Sequence, residues 1–74
     1  MMRSEPMDVL LVEDSPADVY VIKRVLADAG QQIRLWVVPD GPEALQFLRQ
    51  APPFAHVPTP ALILLDLHLP TMAE

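Results

Sequence analysis

Two short apolar runs constrain this chain more than any other feature. Val9-Leu10-Leu11-Val12 is followed at once by Glu13-Asp14, and Ala61-Leu62-Ile63-Leu64-Leu65 by Asp66. Runs of four or five apolar residues are too short for a helix. Lacking alternation, they read as strands covered on both faces. Strands of that kind belong to a parallel sheet with helices on each side. Two of them ending in carboxylates imply an acidic pocket at the carboxyl edge of that sheet.

The segments between the runs supply the helices. Ser15-Pro16-Ala17-Asp18 is a helix start, with Ser15 as N-cap, Pro16 at the first helical position and an acid at the third. Val21, Ile22, Val25, Leu26 and Ala29 then recur at helical spacing, and Gly30 can close the helix at a positive φ. Ile33 to Val38 reads as a second strand, an edge strand because it carries Arg34 and the single Trp36. Asp40-Gly41-Pro42-Glu43 repeats the helix-start logic ahead of Ala44, Leu45, Phe47 and Leu48. Four prolines between Ala51 and Pro60 demand a loop. The expected elements are strands over 8–12, 33–38 and 61–67, helices over 16–29 and 41–50, and a proline-rich loop over 51–60.

This β-α-β-α-β alternation implies parallel pairing with right-handed crossovers. With one helix on each face, the first strand lies between the others, in order 2-1-3. Ligands of such sheets bind where the strand order reverses, outside the carboxyl ends. Glu13, Asp14 and Asp66 fall there.

Composition removes several function classes. The formal charge is −5 and the five basic residues are scattered, which argues against a nucleic-acid surface. The absence of cysteine removes disulfides and thiolate zinc sites. Apolar runs of this length fall far short of the roughly 20 residues that span a bilayer. The first six residues lack the apolar core of a signal peptide, so a cytoplasmic location is expected.

Three segments, in this order and spacing, resemble the receiver domain of two-component response regulators. They are Val9-Leu10-Leu11-Val12-Glu13-Asp14-Ser15-Pro16, Asp40-Gly41-Pro42-Glu43-Ala44-Leu45, and Leu64-Leu65-Asp66-Leu67-His68-Leu69-Pro70-Thr71-Met72. The proline-rich loop is similar to that of single-domain receivers that partner bacterial phytochrome kinases. The resemblance implies an α/β, truncated flavodoxin-like (receiver) fold. It also implies that Asp66 accepts a phosphoryl group from a phosphohistidine on a sensor histidine kinase. Glu13 and Asp14, with Asp66 and the backbone carbonyl of His68, would hold Mg2+. A carboxylate attacking a phosphoryl group needs such a cation to neutralise charge and hold the group in line.

The chain also departs from the family pattern. A complete receiver continues for two further β-α units that supply a hydroxyl residue and a lysine. Lys23, the one lysine, belongs on the outward side of the first helix, and Thr71 stands too near the acceptor. The resemblance therefore covers the acceptor and metal-binding half, and phosphoryl acceptance on Asp66 is expected to be impaired. The third strand is expected to present an apolar edge without charge or proline, a template for another chain. A homodimer or higher oligomer, with third strands meeting antiparallel about a two-fold axis, follows as an expectation. The alternative to a signalling receiver is a remnant or fragment whose behaviour is self-assembly through that strand.

Overall fold

Strand β1 (Met7–Val12) is the centre of the molecule because, among the described strands, it alone is buried on both sides. Val9, Leu10 and Val12 are completely buried and Leu11 nearly so. The computed structural model describes residues 5–65. After β1 come α1 (Pro16–Ala27), β2 (Ile33–Val38), α2 (Gly41–Arg49) and β3 (Leu62–Leu65). The strands form one parallel sheet in the order β2-β1-β3, as the doubly wound reading requires. Leu10 is in register with Trp36 and Ile63, and Val12 with Val38 and Leu65.

Side-chain alternation divides β1 between two faces. Leu10 and Val12 join Val38, Ala44 and Phe47 in a core under α2, flanked by Trp36, Phe54 and Val57. Phe47 meets Trp36 edge-on at 5.7 Å between centroids, with the rings 62° apart, and Phe54 at 5.5 Å. Such offset aromatic pairs add roughly 0.5–1.5 kcal/mol each beyond the area they bury. Val9 and Leu11 face the other way, toward α1. That side is thinly covered. No residue of α1 is buried, and Val21 and Val25 of its expected apolar stripe stand 56% and 62% exposed.

Both helix starts form by the capping chemistry expected of them. Ser15 Oγ accepts the Asp18 N–H at 3.3 Å, and Asp40 Oδ1 accepts the Glu43 N–H at 2.9 Å. The ends differ from the sequence reading. Helix α1 stops at Ala27, two residues early, because the Ala29 N–H turns back to the Leu26 carbonyl and Gly30 takes a φ of +78°. Helix α2 stops at Arg49, one residue early, where Gln50 adopts a left-handed φ of 55°. Gln50 offsets that conformation by donating from Nε2 to the Val57 carbonyl at 2.6 Å.

The proline-rich loop delivers β3 to its place. Backbone bonds from Ala51 to Gln46 and from Phe54 to Ala51 fold its first part against α2. The Ala61 N–H then reaches the Asp8 carbonyl at 2.8 Å, setting the chain beside β1. The strand begins at Leu62. Asp66 and Leu67, the last two residues of the expected strand, lie outside the described residues. Among the described residues no helix is long and apolar enough to cross a membrane.

Phe47 touches both other aromatic rings of the core, so its removal should be costly. Phe47→Ala is expected to lose about 3–5 kcal/mol, measured as a urea midpoint by circular dichroism. The exposed Leu45→Ala should change the midpoint far less.

Candidate functional site at the carboxyl end of β1

Glu13 and Asp14 follow the last residue of β1, and their environments differ. The Glu13 N–H continues the ladder to the Val38 carbonyl at 2.9 Å, so its backbone is still held by the sheet. Its side chain is only 4% exposed, and Oε2 accepts the Ser15 N–H at 3.0 Å. Asp14 is exposed. Ser15 joins the acidic pair to α1, accepting the Asp18 N–H on its hydroxyl and the Val19 N–H on its carbonyl. The carboxylates thus sit between the buried end of β1 and the first turn of α1.

Strand β3 ends beside this place. Leu65 is in register with Val12, and Asp66 follows Leu65 in the chain. Asp66 and His68, the expected acceptor and carbonyl ligand, lie outside the described residues. Among the described residues no three acidic, histidine or cysteine side chains group together as a metal site. The two carboxylates that are described are hard oxygen donors. They suit a small divalent cation such as Mg2+, which takes one or two carboxylates and keeps several waters. Lys23 is exposed, as expected of the outward side of α1.

No family model matches the chain. The chain is 43% identical over 65 residues to the response regulator Rcp1 of Synechocystis sp. (strain ATCC 27184 / PCC 6803 / Kazusa), covering 88% of this chain and 44% of that protein. It also matches the crystal structure of the phosphorylated cyanobacterial phytochrome response regulator RcpA. That match has a TM-score of 0.78 and 40% identity over 90% of this chain and 48% of the other. The chain is a homologue of response-regulator receivers. It spans about half the length of the relatives it matches.

The opposite end of this receiver sheet carries a charged cluster that sequence reasoning missed. Asp8 stands in register with Arg34 across β1 and β2. The guanidinium grips its carboxylate in two bonds, Nε to Oδ1 at 2.8 Å and Nη2 to Oδ2 at 3.0 Å. Trp36 Nε1 adds a third bond to Oδ1 at 3.1 Å. Arg34 and Trp36, two apart on one strand, share the face of Asp8. That spacing was the available signal, but it acquires meaning only once the register is known. The hydrogen bonds from Arg34, then Trp36, hold the Asp8 carboxyl below its usual range against a smaller effect of burial. A carboxyl whose pKa is lowered by folding stabilises the fold above its ordinary pKa. That contribution fades as the pH falls through the lowered value.

Urea midpoints followed from about pH 6 to about pH 2 should therefore decline less steeply for Asp8→Asn than for the parent protein. Parallel curves would show that the cluster adds nothing pH-dependent.

Proposed function

We propose that this chain is a phosphoryl acceptor of the response-regulator type, with Asp66 as the acceptor and a sensor histidine kinase as the donor. A carboxylate oxygen of Asp66 attacks the phosphorus of a phosphohistidine, the N–P bond breaks with its electron pair going to nitrogen, and the imidazole leaves neutral, keeping the proton already on its other ring nitrogen. Glu13 and Asp14, with Asp66 and the His68 carbonyl, would hold Mg2+, which when bound would supply positive charge to offset that on the transferring oxygens. The reading is carried by the register of β1 with β3. Val12 and Leu65 are partners, so Glu13 and Asp66 each come next in sequence after paired residues of adjacent parallel strands. The likeness to a response regulator solved in its phosphorylated state supports the same reading. Such a protein works in the cytoplasm, and its role is acceptance of the group rather than turnover of a substrate.

A second reading concerns assembly, and β3 favours it. Among the described residues β3 pairs with β1 alone, and Leu62, Ile63 and Leu65 are 44%, 42% and 67% exposed. An apolar edge without charge or proline invites another strand. A second copy pairing antiparallel through β3 about a two-fold axis would give one sheet of six strands.

One experiment tests the first reading. The protein is incubated with Mg2+ and acetyl phosphate and its intact mass is measured. One added phosphoryl group is expected, absent without Mg2+ and absent in Asp66→Ala. No adduct on the parent protein would leave the assembly reading standing alone. For assembly, sedimentation at micromolar concentration should show a dimer or larger species that Ile63→Lys converts to monomer. A stable folded monomer in the parent protein would refute it.

A further inference from the structure

Glu13 ends its strand with a side chain that has three rotatable bonds, yet it is held in one position. Its Oε2 accepts the amide hydrogen of Ser15, two residues on, at 3.0 Å, and the residue is only 4% exposed. Ser15 has an extended backbone, φ −101° and ψ 116°, and closes three hydrogen bonds in succession. Its N–H donates to the Glu13 carboxylate. Its hydroxyl accepts the Asp18 N–H at 3.3 Å, and its carbonyl accepts the Val19 N–H at 3.0 Å. One residue thus binds a buried carboxylate and begins a helix of 12 residues.

We propose that Ser15 is a positioning residue for the divalent cation: its backbone N–H holds the Glu13 carboxylate, and through Ser15 cation binding steadies the first turn of α1. The inference rests on the cation reading of Glu13 and Asp14 given above. A ligand whose orientation is fixed beforehand loses less freedom when the ion arrives. Groups that orient metal ligands from behind are worth about 10- to 100-fold in metal affinity. A carboxylate has about four lone-pair sites, of which the Ser15 N–H takes one. The coupling runs in both directions. An ion that fixes Glu13 fixes the Ser15 amide, and with it the hydroxyl and carbonyl that accept the first helical N–H groups.

The amide can be tested apart from the hydroxyl. With 74 residues the chain is within reach of chemical synthesis. The Asp14–Ser15 amide can therefore be replaced by an ester, which deletes this N–H and leaves every side chain in place. Affinity for Mg2+ and Mn2+ is read by calorimetry, and folding is checked by circular dichroism. The ester form is expected to bind either ion about 10- to 100-fold more weakly than the parent protein. Ser15→Ala, which keeps the N–H and loses the cap, should be less stable but lose much less affinity than the ester form. Saturating Mg2+ should slow hydrogen exchange of the Asp18 and Val19 amides severalfold in the parent protein and not in the ester form.

Equal affinities for ester and parent would overturn the role of Ser15 while leaving the cation site intact. A Ser15→Ala variant that loses affinity as far as the ester does would also overturn it, because the effect would then follow the cap. A parent protein that binds neither ion would refute both this inference and the cation reading on which it rests.

Discussion

Everything in this molecule depends on β1 being buried from both sides. A strand that hides Val9 and Leu11 on one face and Leu10 and Val12 on the other must be central, with a helix above and below. Central placement forces parallel neighbours on both edges, since each returns through a crossover or a long loop. The register that follows brings the end of β3 beside the end of β1 and Asp8 beside Arg34. The carboxylate edge and the charged cluster at the other end are two consequences of one burial constraint.

The two faces of the sheet are unequal. Under α2, three aromatic rings and the folded-back loop close a core in which Phe47 and Val38 are almost wholly buried. Under α1, half-buried Ile22 and Leu26 do the covering while Val21 and Val25 face outward. Neither helix packs substantially on β3, since α1 lies against β2 and α2 against β1. The apolar side chains of β3 are therefore exposed on both faces, along an edge that no other described strand pairs. A symmetric pairing through that edge would extend the sheet. It would leave a stretch of about three strand spacings, roughly 14 Å, between the nearest helices on the α2 side. Packed helices sit about 8–10 Å apart. Edge pairing alone thus satisfies the backbone of β3 more fully than its side chains.

Much of this fold could be read from the sequence because its signals are local. An unbroken apolar run marks β1, and Ser15 and Asp40 announce the helices that they cap. The order 2-1-3 follows from chain direction and one helix per face. What could not be read needs either register or backbone geometry. Asp8 marks only the first residue of the strand expected over 8–12, and its grip by Arg34 and Trp36 exists only because β1 and β2 align as they do. The Ser15 N–H is a main-chain donor and leaves no trace in residue identity. The outward turn of Val21 and Val25 escaped for another reason. Helical spacing marks an apolar stripe but not how much of it has something to pack against. At the candidate site, the acidic pair and its place at the end of β1 were legible, while the unequal burial of Glu13 and Asp14 was not.

A chain with one closed face and one thin one has a small margin of stability, so whatever binds its folded form bears on whether it folds. A ligand of the native state at a hundred times its Kd adds about 2.7 kcal/mol. That is comparable with the loss expected from removing the Phe47 ring. A cation held by Glu13 and Asp14 would act at the junction of the best-buried strand and the least-buried helix. It would also offset part of a net charge of −5, whose self-repulsion works against the compact state. The acidic edge is then more than a site carried by the fold. Occupancy of the site and integrity of α1 would then be coupled, and the thin face is where that coupling would have most effect.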